Sequence, residues 1–243
     1  MTILCIETST QVCSASVTIG GVPIAERVCR EGANHAQMLP VFVDELLKEV
    51  QAKGLKIEAV ALSEGPGSYT GLRIGTSTAK GICYGLDVPL IPVQTLQVLC
   101  VAAAAGYAPS LSETTSQHLA NGDSEKGGCC LCPMIDARRM EVYTAVYDMD
   151  LLEVLPVQAK VVEDGGWLPE SEVYYFGDGA AKCQEVLKGV DTAHFIGDIV
   201  PEAKYMGVLA ERGKRLSGKD IAYYEPYYLK EFVAAPSHIK GLQ

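Results

Sequence analysis

The stretch Ala59–Pro92, AVALSEGPGSYTGLRIGTSTAKGICYGLDVPLIP, decides the fold. Ala59–Ser63 is an apolar run of strand length, and Glu64-Gly65-Pro66-Gly67-Ser68 is a breaker cluster that must turn the chain. From Thr70 to about Leu86 no proline intervenes, and small and apolar residues recur at helical spacing. Gly85–Pro89 ends that helix, and Pro89–Val93 supplies a second buried strand. Strand, helix and strand in this span make a parallel crossover, with the helix laid over the sheet. Within the helix Gly71, Gly75, Ala79 and Cys83 recur every four positions, so one stripe carries only small side chains. A helical glycine costs about 1 kcal/mol relative to alanine. The stripe therefore predicts a close approach of something to the helix backbone.

Upstream of this unit, Ile3–Thr8, Val12–Ile19 and Val22–Val28 read as three strands, the last two joined by a Gly20-Gly21 hairpin turn. Asn34–Lys53 reads as a helix with Pro40 in its first turn and an apolar face of Leu39, Phe42, Val43, Leu46, Leu47 and Val50. Met38 and Val41 widen that face beyond what a one-sided surface helix needs, which leaves room for a second contact. A further helix spans about Thr95 to Ala105. The order β-β-β-α-β-α-β-α is the layout of a ribonuclease-H-like half.

Downstream, Tyr107–Gly128 is polar and reads as a mobile surface insertion. Cys130–Asp136, Glu141–Tyr147, Leu152–Val162 and Val173–Phe176 read as strands. Gly177-Asp178-Gly179 opens a predicted helix to about Lys188, and Pro201–Leu216 reads as a last amphipathic helix. The second half thus looks like a weaker, strand-rich repeat of the first, without a residue-level repeat. The expected division is 1–105 for the N-terminal half and its helices, 106–200 for the second half with its insertion at 107–128, and 201–243 for a helix and tail packing back on the first half.

At 243 residues, with 48% hydrophobic and 21% charged, the composition is that of a soluble globular protein. The longest apolar run, Val98–Ala105, is far short of the roughly 20 residues of a membrane span. Met1 leads straight into strand residues with no signal-peptide pattern, so a cytoplasmic location is expected. A net charge of −10 with no basic patch argues against tight, direct nucleic-acid binding by this chain alone. The nine cysteines are odd in number and several lie in apolar segments, which reads as reduced core thiols. Cys129, Cys130 and Cys132 cluster, but no second pair or nearby histidine completes a metal set.

The chemistry-bearing patterns are few. The turn Glu64–Ser68 admits an anion cradle or a purely structural turn, the second being favoured. It lacks a P-loop's Lys-Ser/Thr ending, and Pro66 removes one N–H. His35, His118, His194 and His238 are scattered, and no G-x-S-x-G elbow or H-E-x-x-H pair is present. Asp136-Ala137-Arg138-Arg139 reads as a solvated hairpin, and the many tyrosines of the second half read as structural.

ILCIETST, NHAQMLPVFVDELL, the opening stretch continued to VQTL, MIDARRMEVYTAVYD, FGDGA (Phe176–Ala180) and EPYYLK closely resemble the TsaB (YeaZ) family. That family belongs to the acetate and sugar kinase/Hsp70/actin superfamily. The resemblance implies an α/β fold of two ribonuclease-H-like halves, each a mixed sheet with packed helices. It also implies a noncatalytic subunit of the machinery that makes threonylcarbamoyladenosine in tRNA, pairing with a TsaD-like catalytic subunit and joined by a TsaE-like ATPase. The metal and ATP would belong to those partners, and a homodimer is expected when the chain is alone. At the place where TsaD carries His-x-x-x-His this chain has Thr95 and Leu99. The superfamily's Asp-x-Gly-x-Thr phosphate hairpin reads Glu7-Thr8-Ser9-Thr10-Gln11, without the glycine. The expected partner interface is Met38, Val41 and Glu45 on the first helix with Gly71, Leu72, Gly75, Ala79, Ile82 and Cys83 on the second. Glu7, Ser9 and Thr10 are the weak candidates for nucleotide. Two other readings stay open: an ATP-dependent phosphotransferase using Glu7 and the hairpin turn, and a peptidase, for which no nucleophile stands out.

Overall fold

The structure, a computed structural model, describes residues 1–32, 34–106, 128–162, 168 and 171–230. The insertion at 107–127, with His118, and the tail with His238 lie outside the described residues. The first sheet has the order β3-β2-β1-β4-β5, from β1 (Thr2–Glu7), β2 (Cys13–Ile19), β3 (Val22–Cys29), β4 (Ala59–Gly65) and β5 (Leu90–Gln94). β1, β2 and β3 are antiparallel, whereas β4 runs parallel to β1, and β5 parallel to β4. Gly20 and Gly21 both take positive φ, 56° and 83°. A two-residue turn needs that backbone to match the twist of its strands.

Alternate residues of each strand face opposite layers. Leu4, Ile6, Val60 and Leu62 point into one core with α1 (His35–Ala52) and α2 (Tyr69–Leu86). Ile3, Cys5, Ala59 and Ala61 point into another with Ala203, Met206 and Ala210 of the C-terminal segment. Ser14 Oγ accepts from the Ala203 N–H at 2.9 Å, and Arg30 reaches the buried Glu202 at 2.5 Å, tying that segment to β2 and β3. A third helix, α3, runs over 95–106. Its Val98 joins the first sheet's core, while Leu96, Leu99 and Cys100 join the second's.

The second sheet, β10-β9-β6-β7-β8, repeats the topology of the first. It is built from β6 (Cys130–Asp136), β7 (Glu141–Tyr147), β8 (Glu153–Val161), β9 (Val173–Phe176) and β10 (Ala193–Ile196). β6–β8 are antiparallel, with β9 parallel to β6 and β10 parallel to β9.

Four expectations need correction. Pro40 lies inside α1, whose first residue is His35, so it stands in the second turn; both it and Ala36, whose carbonyl loses a donor, are exposed and water can serve that carbonyl. The segment after Gly179 forms only a short 3-10 turn, Ala181–Cys183, followed by turns as far as Gly189. The long helix expected over 201–216 is a 3-10 turn, Ala203–Tyr205, and one helical turn, α4 (Gly207–Ala210). It stops because Leu216 leaves to exchange backbone hydrogen bonds with Leu90 on the edge of β5, at 2.8 and 3.0 Å. β10 is an additional strand that the residue pattern did not single out. A short helix, α5 (Lys219–Tyr223), precedes the end of the described chain.

Candidate functional site

Two places deserve comparison: the hairpin turn between β1 and β2, and the outer face of α1 and α2. The first holds Glu7, Ser9 and Thr10, the residues weighed above for a nucleotide. Here it is filled by the chain itself. The Ser68 N–H donates to Ser9 O at 2.6 Å, and Thr8 Oγ1 donates to Gly71 O at 2.9 Å. Ser68 also caps α2, its Oγ accepting from the Gly71 N–H at 3.3 Å. A Cβ placed on Gly71 would stand 2.0 Å from Thr8 O, one on Gly75 2.3 Å from Thr8 Oγ1, and one on Gly67 2.4 Å from Ser9 O. The start of α2 thus lies directly on the hairpin, and the Ser68 and Gly71 N–H groups are spent within the protein.

Glu7, Ser9 and Thr10 are all buried there. Glu7 Oε1 accepts from the Ser9 N–H at 2.7 Å and from Ser63 Oγ at 2.9 Å. Burial outweighs these bonds and pushes the Glu7 carboxyl above its ordinary value. Thr95 and Leu99 are both fully buried. Among the described residues no group of three or more His, Cys, Asp or Glu gathers as a metal site.

The second half carries a parallel arrangement. The end of β6 abuts the glycines that follow β9: Cβ atoms on Gly177 and Gly179 would come within 2.3 Å of Met134 O and 2.9 Å of the Ile135 carbonyl carbon. The Asp136 N–H donates to Asp178 Oδ1 at 2.9 Å, and Lys182 Nζ reaches Asp136, Arg139 O and Glu141 O. Arg138 and Arg139, both at positive φ, form the turn itself.

The expected interface residues divide. Val41 and Glu45 are exposed, and Met38 and Ile82 are half-buried on the outer side. Gly71, Leu72, Gly75, Ala79 and Cys83 are buried inside the first half. The small-residue stripe is therefore corrected: the backbone it approaches is the chain's own hairpin and sheet, and no partner can reach it. Glu45 is held by Arg27 at 2.6 Å, which also approaches Glu49 at 3.5 Å. What remains exposed on the two helices is Val41 on α1, 50% exposed, and Tyr84 and Leu86 on α2, 92% and 45% exposed, while Met38, Ile74 and Ile82 are half-buried against the core. Tyr84 and Ile74 were not singled out from the sequence. An aromatic residue set between Gly81 and Gly85 was the available signal.

A cleft of about 470 Å³ also opens where β5, α3 and α4 meet the turn after β7, lined by Glu64, Gln94, Gln97, Leu151 and Arg212. Burial raises the Glu64 carboxyl, and the Tyr147 hydroxyl donates to Gln94 Oε1 at 3.1 Å.

Two halves of one topology, each with three antiparallel strands, two parallel strands and a hairpin backed by glycines, define an α/β protein built of two similar mixed-sheet halves. Residues 20–116 match the family described as TsaD: tRNA N6-adenosine threonylcarbamoyltransferase. The tRNA threonylcarbamoyladenosine biosynthesis protein TsaB of Bacillus subtilis is 28% identical over 95% of this chain and 94% of its own. That of Escherichia coli is 32% identical over 62% of this chain and 56% of its own. The solved structure of YeaZ from Pseudomonas aeruginosa superposes with a TM-score of 0.69 at 23% identity, covering 94% of this chain and 99% of that one, a likeness of fold. Over nearly its whole length the chain is similar to proteins of the TsaB (YeaZ) family.

Proposed function

We propose that this chain is a noncatalytic subunit in the biosynthesis of threonylcarbamoyladenosine on tRNA, docking a TsaD-like catalytic subunit through the outer face of α1 and α2. The observation that carries the reading is the closed hairpin. Backbone and hydroxyl oxygens of Thr8 and Ser9 occupy the space in front of α2 that a phosphate would need. A kinase-like fold whose phosphate site is filled by its own residues fits a scaffold better than a phosphotransferase. The metal, the ATP and a TsaE-like ATPase would enter with the partner. The names of the relatives supply the pathway.

The docking surface follows from what the helices leave uncovered. Val41 on α1 and Tyr84 and Leu86 on α2 are exposed, and Met38, Ile74 and Ile82 are half-buried, so the uncovered side of the helix pair is partly apolar. Arg27, Glu45, Asp44 and Lys48 provide a charged rim. The occupant is a chain of the same fold, because residues 20–116, which include both helices, match the catalytic subunit's own family. The test is calorimetric titration of the full chain with the TsaD-like protein of the same organism, using Val41→Asp and Tyr84→Asp. Both side chains are exposed, so the variants should fold as the parent does. A central aromatic anchor is worth about 2 kcal/mol or more, so Tyr84→Asp should weaken pairing roughly 30-fold or more. Undiminished affinity in both folded variants would remove this face as the docking site.

A further inference from the structure

β2 and β3 place two thiols face to face. Cys13 and Cys29 are directly opposed in the antiparallel register and lie at the open end of the ladder, away from the Gly20-Gly21 turn. Opposed residues in such a ladder stand about 4.5 or 5.5 Å apart at Cα, depending on the pair type. A disulfide accepts about 4.4–6.8 Å, so either pair type is compatible. Their side chains share one face: Cys13 is buried in the core beneath α1, and Cys29 packs against the same cluster. All nine cysteines are free, and Cys29 alone among them is not buried. We propose that Cys13 and Cys29 form a reversible disulfide, made by exchange with a low-molecular-weight disulfide that enters at Cys29.

The order of steps follows from exposure. The Cys29 thiolate attacks one sulfur of the small disulfide, breaking its S–S bond and releasing one thiolate, which takes a proton from water. Cys29 then carries the mixed disulfide. Cys13 loses its proton to water and attacks the Cys29 sulfur, expelling the second small thiol. Two protein thiols are oxidised and one small disulfide is reduced to two thiols. Burial and the neighbouring Cys29 push the Cys13 thiol up to about 12, so the second step is the slow one and accelerates with pH. The remaining seven cysteines are buried and have no such opposed partner in the strand registers. The bond would staple the β2–β3 hairpin a few residues before α1 begins at His35. It would therefore stiffen the base of the helix pair while leaving the outer face of α1 uncovered.

The experiment is incubation of the full folded chain with oxidised glutathione at pH 8, alkylation of free thiols, and non-reducing peptide mapping. A peptide containing Cys13 linked to one containing Cys29, reversed by dithiothreitol, is the expected product. The linked protein should melt roughly 5–10 °C higher than the reduced form, as expected for a closed loop of this size. In Cys13→Ser the reaction should stop at a stable glutathione adduct on Cys29. Should that variant not fold, mapping of the unaltered chain decides alone. Recovery of Cys29 as a stable glutathione adduct with Cys13 still alkylated overturns the proposal. So does a linked protein that melts lower than the reduced one, because the ladder would then have had to deform to make the bond.

Discussion

Glu7 ends β1 with no exposure and with two donors on one carboxylate oxygen, while its other oxygen is buried with no protein partner. Burial is the larger effect and raises the carboxyl above its ordinary 4.5. The sign of the linkage is then fixed. The native state holds the proton to higher pH than the unfolded chain, so stability is lost as pH rises from 4.5 to the folded pKa, and the loss is constant beyond it. Glu7→Gln keeps the shape and removes the ionisation. Its urea midpoint relative to the parent should therefore be more favourable at pH 8 than at pH 5. A difference between the two proteins that is the same at both pH values would show that Glu7 is ionised in the native state at no cost. The unusual choice of glutamate over a smaller residue here was legible in the sequence, but its burial was not. Burial depends on Ser63 and on the end of α2, both more than fifty residues away in the chain.

At the scale of the element, α2 separates two kinds of glycine that look alike in sequence. A Cβ on Gly71 would lie 2.0 Å from the Thr8 carbonyl oxygen, a backbone atom that cannot step aside. A Cβ on Gly81 would meet nothing within 4 Å. Gly71→Ala should therefore destabilise the chain by about 3 kcal/mol or prevent folding, as overpacking against backbone does. Gly81→Ala should stabilise it by about 0.5–1 kcal/mol through helix propensity alone. Thermal and urea unfolding of the two variants should thus shift in opposite directions; a shift in the same direction would mean that the helix is not seated on the hairpin as described. This contrast also shows what periodicity can and cannot reveal. The spacing of Gly71, Gly75, Ala79 and Cys83 identified a face of close approach, but a four-residue repeat does not say whether the neighbour is another chain or the protein's own sheet. The strands of the first half were readable because alternation and the Gly20-Gly21 turn agree. β10 was not, because AHFI is short, follows a turn-rich segment and is only half-buried along its length. Leu216 fitted a helical pattern yet lies on the edge of β5, where two backbone hydrogen bonds to Leu90 outweigh its local propensity.

For the whole molecule, the duplicated topology sets the decisive comparison. A phosphate could lie against such a hairpin only if the hairpin stood clear of the helix behind it. Here each hairpin is pressed onto the glycines that follow its fourth strand, by Gly67, Gly71 and Gly75 in one half and by Gly177 and Gly179 in the other. A triphosphate chain would have to displace the Ser68 to Ser9 hydrogen bond, the Thr8 to Gly71 bond and the packed backbone behind them. Burial of the neighbouring Glu7 adds a carboxyl with no positive group among its hydrogen-bond partners. Calorimetric titration of the isolated chain with ATP and magnesium should accordingly show no saturable heat in the micromolar range. The same titration of the pair formed with a TsaD-like protein should show binding if, as proposed above, the nucleotide belongs to the partners. Saturable micromolar binding to the isolated chain, abolished by Ser9→Trp but not by Tyr84→Asp, would place nucleotide at the hairpin and restore the phosphotransferase reading. Binding to the pair that Tyr84→Asp abolishes together with pairing would instead locate the nucleotide requirement in the assembled complex, where the outer face of α1 and α2 is the element that matters.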